Sequence, residues 1–349
     1  MRIFGLLLVG ILPWMACQGV GSNKGRFLQD SITEEDVAVA KELHQQYLVQ
    51  TQPILNDTVY QVNCMGKRVE IRFIVSKNTL GSGRKLLLLL PGWNYSDTQW
   101  CTRTKVCEKA LLRGYDVMLV EMGKSVYMDS LYPEMRGDYR LHPTRTWLWD
   151  SVLQPLQARG YFTNKGIPEI PVKTGNGKVL YRDLRLPIPS FVMGLSTGGR
   201  GAMLLGLEHP EAFSGVASLS GDYDPTLTPN DNLMINCMGS FSAFSYRWQG
   251  SNNILRRISE LKVPCFVAHG QSDAVVSVNQ AIQLAAAYES VKANMVLSNH
   301  TSPKSNNSEM VKTAQPKFIL RIVENAGHDY RFWNQTGLEA LDFFDSLNK

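Results

Sequence analysis

The sequence predicts an α/β fold, a mostly parallel sheet with helices on both faces in a three-layer sandwich. Three observations carry that prediction. Lys85–Leu90 is a five-leucine run closed by Pro91-Gly92, of strand length and apolar on both faces, as a fully covered strand requires. Asp116–Val120, Phe191–Met193, Val216–Leu219, Pro264–Ala268 and Phe318–Val323 repeat the pattern. Between these runs lie stretches of helical spacing at 100–113, 145–158, 202–207, 278–290 and about 335–347, and such alternation calls for crossover connections between parallel strands.

The chain opens on one basic residue, an apolar run from Ile3 to Leu12, and small or polar residues from Ala16 on. That reads as an export signal over residues 1–17, too short to span the hydrocarbon, and it predicts a periplasmic, secreted or membrane-anchored protein. Ala16-Cys17 resembles a bacterial lipoprotein processing site, although Trp14 stands where leucine is usual, so Cys17 is read equally as a lipid-anchor position or as a residue near plain cleavage. Residues 18–55 form a polar N-terminal extension with one helix around Glu34–Gln46 packing Val37 and Leu43. Residues 56–349 form the main domain.

Within it, Thr58–Cys64 and Arg68–Val75 alternate as a hairpin about Met65-Gly66-Lys67 at one sheet edge. Two stretches break the strand–helix rhythm. Residues 161–187, with Gly-Ile-Pro, Gly-Asn-Gly and Leu-Pro-Ile-Pro, form a surface excursion. Residues 222–251 embed Met234, Met238, Phe241, Phe244, Tyr246 and Trp248 in an Asn/Ser/Gly-rich segment; these side chains either make a small satellite core or line a pocket, as Trp248 does on the second reading.

The 349 residues are 44% hydrophobic and carry a formal charge of +5, from Lys and Arg that are dispersed rather than clustered with aromatics, which excludes a nucleic-acid partner. No Cys-x-x-Cys or His-x-x-x-His spacing occurs, so no metal is expected. Beyond Cys17 there are five cysteines. Cys101 and Cys107 are near enough for a loop-closing bridge, yet a continuous helix over 99–113 would set them badly for one. Asn56, Asn94, Asn299, Asn306 and Asn334 open glycosylation sequons, which matter only in a host that glycosylates.

The chain is organised around Phe191-Val192-Met193-Gly194-Leu195-Ser196-Thr197-Gly198-Gly199-Arg200-Gly201-Ala202. An apolar strand meets a serine flanked by glycines and passes at once into helical spacing. Small residues two before and two after the serine are needed where strand and helix crowd together, and Gly194 and Gly198 meet that need. The turn holds the Ser196 hydroxyl above the sheet, with the helix N-terminus directed at the same spot. A phosphate loop is excluded because no Lys-Ser or Lys-Thr follows the glycines, and a dinucleotide fingerprint belongs on the first strand–helix turn instead.

The later chain supplies partners in the order acid, then histidine. Strand Pro264–Ala268 leads into His269-Gly270-Gln271-Ser272-Asp273, which places Asp273 in a loop able to orient an imidazole; His269, at the strand end, packs or bonds locally to hold that loop. Strand Phe318–Val323 delivers Gly327-His328 on a loop at the same rim. His328 follows both other members in chain order, and histidine is the side chain that exchanges a proton near neutral pH. After the first buried strand, Gly92 lets the backbone turn so that the amide of Trp93, with that of Thr197, forms an oxyanion hole. Tyr95, Tyr127 and Trp93 are placed either to shape the pocket or to pack at its rim.

With these residues assembled, the sequence resembles the α/β-hydrolases, and within them the esterase D-like group of S-formylglutathione hydrolases, feruloyl and acetyl-xylan esterases and mycolyltransferases. The resemblance rests on Gly194-Leu195-Ser196-Thr197-Gly198-Gly199-Arg200-Gly201-Ala202, Ser125-Val126-Tyr127-Met128-Asp129 and Gly327-His328-Asp329-Tyr330-x-x-Trp333, and spans about residues 58 to 347. It implies an eight-stranded sheet, with Ser196 as nucleophile, His328 as base and Asp273 as orienting acid, working without a cofactor. Pro91-Gly92 replaces the group's usual His-Gly, Leu195 replaces a histidine, and Gly270-x-x-Asp273-x-x-Val276 is similar to the acid loop of general carboxylesterases and peptidase-like hydrolases. The expected activity is a serine carboxylesterase acting on a small-molecule or carbohydrate-linked ester. The alternatives are an acyltransferase or peptidase using the same residues, or a non-catalytic interaction protein on the same scaffold.

Overall fold

The computed structural model of the chain describes residues 58–77, 84–139, 143–157, 160–163, 170–173, 179–182, 187–301 and 316–347. The expected leader, Cys17 and the helix around 34–46 lie outside the described residues.

Eight strands form one sheet: β1 (Thr58–Cys64), β2 (Lys67–Ile74), β3 (Lys85–Leu90), β4 (Tyr115–Val120), β7 (Ser190–Leu195), β8 (Gly215–Leu219), β9 (Cys265–Gly270) and β10 (Phe318–Val323), in the order β1-β2-β4-β3-β7-β8-β9-β10. β1 and β2 are antiparallel to each other and β2 to β4, while every pairing from β4 to β10 is parallel. A two-stranded hairpin, β5 (Ile170–Lys173) with β6 (Val179–Arg182), falls in the excursion before β7.

The leucine run shows how the layers arise. Side chains alternate across a strand, so Leu86, Leu88 and Leu90 enter one core and Leu87 and Leu89 the other, all without exposure. Burying each contributes roughly 1.5–3 kcal/mol. The first core is roofed by α5 (Thr197–Glu208), α8 (Asn279–Thr301) and a helical run of α3 (Thr144–Trp147), a π-helical stretch (Leu148–Leu153) and α4 (Gln154–Gln157). The second lies under α2 (Val106–Leu112) and α9 (Tyr330–Ser346).

The helix expected over 100–113 is two helices, α1 (Gln99–Arg103) and α2. The break is at Thr104, whose backbone is extended (φ −132°, ψ 168°) and whose Oγ1 accepts the Val106 amide, the first of the second helix, at 3.2 Å. Six residues of unbroken helix would separate Cys101 and Cys107 by about 9 Å along the axis. The break brings their Cα atoms to 5.0 Å, and the two are disulfide-bonded. Cys64, Cys237 and Cys265 are free and buried.

The 222–251 excursion contains α6 (Asn232–Met238) and α7 (Phe241–Gln249). With Val126, Met128, Met135 and Tyr139, their Met234, Cys237, Met238 and Trp248 make a third core, separate from the two beside the sheet. Trp93 packs against it.

Candidate active site

Every catalytic candidate lies at the carboxyl end of a parallel strand, where ligands collect in open α/β sheets. Ser196 follows β7 directly and sits in a strained turn (φ 55°, ψ −126°), the backbone of a nucleophile elbow. Its amide donates to the Leu219 carbonyl at 2.8 Å, which ties the turn to the end of β8. The crowding that demands glycines is direct: a Cβ on Gly198 would lie 2.3 Å from the Leu90 carbonyl oxygen.

His328 bridges the two other candidates. Its Nε2 is 2.9 Å from Ser196 Oγ and its Nδ1 is 2.7 Å from Asp273 Oδ2. The second carboxylate oxygen of Asp273 accepts the amides of Val275 at 2.9 Å and Val276 at 2.8 Å. Burial opposes the charge on Asp273, but the hydrogen bonds from His328 and those two amides outweigh it and hold the carboxyl below its usual range. A carboxylate fixed on Nδ1 leaves Nε2 free to accept the serine proton.

His269 holds the acid loop, as its place at the strand end suggested. It is fully buried, its Nε2 bonds the Val276 carbonyl at 2.8 Å, and burial pushes its pKa down. A neutral ring with its proton on Nε2 fits that bond.

β3 lies beside β7 with Leu90 opposite Gly194, so the chain leaving β3 passes the serine. A Cβ on Gly92 would fall 3.2 Å from Ser196 Cβ. The amides of Asn94 and Tyr95 are bonded to the Gly123 and Gly92 carbonyls, whereas that of Trp93 takes no partner among the described residues. Thr197 opens α5, where an amide has no carbonyl a turn behind it. Neither amide has a hydrogen-bond partner among the described residues.

The pocket expectations divide. Tyr95 stays half-buried at the rim, its ring 5.9 Å from Tyr330 and 6.2 Å from Trp333. Tyr127 and Trp248 do not line a pocket, because neither has any exposed surface. The Tyr127 hydroxyl donates to the Pro91 carbonyl at 2.9 Å, its ring filling the space left by Gly201, and the Trp248 indole donates to the Gly239 carbonyl at 3.0 Å inside the third core. Burial satisfied their polar tips internally.

Several residues to which the sequence reading gave no role stand around the site. Trp333 meets His328 edge-on, with ring centroids 5.0 Å apart, and its indole donates to Ser220 Oγ at 3.2 Å. Gln99 accepts the Tyr330 hydroxyl at 2.5 Å. Arg200, fully buried on α5, donates to Asp222 Oδ2 at 2.6 Å. Tyr330 and Trp333 stood in the resemblance to the histidine loop; Gln99 had no local signal.

The eight-stranded sheet with the serine turn after β7 is the α/β-hydrolase fold, and the comparisons agree. The Esterase family model matches residues 182–342, the stretch from before the elbow to beyond His328. The diacylglycerol acyltransferase/mycolyltransferase Ag85B of Mycobacterium avium is 25% identical over 211 residues, 59% of this chain. The match spans 56% of that protein's length. An S-formylglutathione hydrolase from Agrobacterium tumefaciens superposes with a TM-score of 0.55 at 12% identity, covering 84% of this chain and 94% of its own. Mycobacterium tuberculosis MPT51 does so with a TM-score of 0.54 at 16% identity, covering 84% and 98%. The chain thus has the α/β-hydrolase fold and is similar over residues 182–342 to the Esterase family.

Proposed function

We propose that the protein is a serine carboxylesterase that hydrolyses short-chain or carbohydrate-linked esters through an acyl-enzyme. The observation that carries this reading is the unbroken relay from Asp273 through His328 to Ser196, at 2.7 Å and 2.9 Å. Ser196 Oγ attacks the ester carbonyl as its proton passes to His328 Nε2. The tetrahedral oxyanion is held by the Trp93 and Thr197 amides, and His328 returns the proton to the leaving alcohol. Water activated by the same imidazole then releases the acid and restores the serine. Short acyl groups are favoured because the sequence holds no long apolar lid of the kind that covers a lipid groove. The leader-like residues 1–17 support an exported enzyme, with Cys17 as a candidate anchor point.

A second reading is supported by the named activity of the mycobacterial relative: the acyl group passes from Ser196 to an acceptor hydroxyl instead of to water. Competition between water and added alcohols during turnover separates the two.

The deciding experiment is labelling with a fluorophosphonate, alongside hydrolysis of short-chain nitrophenyl esters in the presence of a chelator. Stoichiometric labelling of Ser196, lost in S196A together with several powers of ten in turnover, is the expected result. Labelling at another serine, or full ester turnover by S196A, refutes the reading.

A further inference from the structure

Two consecutive residues on α1 reach the two parts of the active site that come from opposite ends of the chain. The indole of Trp100 donates to the Leu90 carbonyl at 3.0 Å, at the last residue of β3, three positions before the Trp93 amide. Gln99 Oε1 accepts from the Tyr330 hydroxyl, two positions after His328. Burial, with Tyr95 adding to it and Arg103 opposing, raises the Tyr330 hydroxyl to about 12, so it remains a donor to Gln99 through the neutral range.

Further contacts make this turn a clamp rather than a passing neighbour. The Lys105 amide donates to Asn334 Oδ1 at 2.7 Å, linking the segment to α9 a second time. Trp100 packs beside Gly337 of the same helix, where a Cβ would lie 3.7 Å from Trp100 Cζ3. The Arg103 guanidinium sits 5.1 Å from the centre of the Tyr330 ring. The Cys101–Cys107 disulfide closes the segment, holding the five-residue α1 against α2 across the break at Thr104. So short a helix has little stability of its own, and its geometry comes from these ties.

We infer that the disulfide-closed turn from Gln99 to Cys107 positions the catalytic machinery, Gln99 acting on His328 through Tyr330 and Trp100 acting on the oxyanion amide through Leu90. None of these residues touches the reacting atoms. Their effect falls on the rate of serine attack, because a small displacement of either the base or the oxyanion donor costs rate steeply while substrate binding elsewhere is untouched. The inference rests on the acyl-enzyme reading. It adds a redox dependence: a dithiol opens the bridge, taking the form of a cyclic disulfide while two electrons and two protons pass to Cys101 and Cys107.

The test measures the second-order rate of fluorophosphonate labelling of Ser196, which needs the relay and the oxyanion hole but not the natural acyl group. Q99L removes the acceptor and is expected to label about tenfold more slowly, with KM for a nitrophenyl ester changed less than about twofold; Q99E keeps an acceptor and restores most of the rate. C101S/C107S, and the wild-type protein treated with dithiothreitol, are expected to fall in the same direction, and the reduced protein to recover on reoxidation. Adding Q99L to C101S/C107S costs little more if the two act through one clamp. Circular dichroism and the unfolding midpoint, unchanged in Q99L, separate positioning from loss of fold. Wild-type rates in Q99L, fully additive losses, or a loss that Q99E does not restore would overturn the inference with the acyl-enzyme reading intact. A wild-type protein that takes no label at all would remove that reading, and the inference with it.

Discussion

Gly194 and Gly198 face each other across the turn at Ser196 with no room for one more carbon: a Cβ on Gly194 would lie 1.9 Å from the Gly198 carbonyl oxygen. That atom belongs to the backbone and cannot swing aside. G194A is therefore expected to cost more than about 4 kcal/mol, in the range of severe substitutions, and to abolish labelling of Ser196. Urea unfolding and the yield of soluble protein measure it. A well-folded, labelled G194A protein would show that the elbow is not built as described.

D273N should separate orientation from fold. An amide in place of the carboxylate keeps an oxygen for the Val275 and Val276 amides, so the loop survives. Its nitrogen facing His328 Nδ1 favours the wrong tautomer and puts the imidazole proton toward Ser196. Turnover is expected to drop by about 10²–10⁴, with the unfolding midpoint nearly unchanged. Equal losses of activity and stability would instead make Asp273 a structural residue.

Acid stability should follow the buried histidines. Burial lowers His209 to about 4, with Glu211 opposing and Arg145 adding, and His269 is also lowered by burial. Both are neutral in the fold, while the unfolded chain binds their protons below its own value near 6.5. The unfolded state thus holds more protons across that window, so stability is complete above it and is lost as pH falls toward 4. For His209, whose side chain is 21% exposed, the loss between pH 7 and 4.5 is on the order of 2 kcal/mol. His209 stacks on Trp149, with ring centroids 3.3 Å apart, so H209F keeps a ring there without a titrating group. Urea titrations at the two pH values should show a smaller loss in H209F, and parallel losses would exclude His209 as a contributor.

Trp248 should behave as a core residue. W248A is expected to cost about 3–5 kcal/mol, and W248F less, while the KM of W248F for short esters stays within about twofold of the wild-type value. A raised KM with unchanged stability would return Trp248 to the pocket.

The parts legible in the sequence are those whose cause is local. β3 and β10 occupy their expected spans because each is an apolar run between breakers, and the elbow declares itself because only glycines fit beside Ser196. The start of α9 is also local: Asp329 Oδ1 accepts the Phe332 amide at 3.0 Å and caps a helix that begins at Tyr330, ahead of the expected start near 335. Tyr127 and Trp248 lie in segments of loop-like composition, where nothing local tells a side chain turned inward from one facing a ligand. The break at Thr104 and the bond between Gln99 and Tyr330, 231 positions apart, exist only once the sheet has brought α9 beside α1.

β10 lies at the edge of the sheet with β9 as its one neighbour there, and His328 hangs from its end. During synthesis the chain therefore owns its serine long before it owns its base. If Ser196 and His328 act as proposed, a partly made polypeptide carries the elbow without the base, and labelling of Ser196 is expected only once β10 has docked on β9. That order follows from where in the chain the histidine is written.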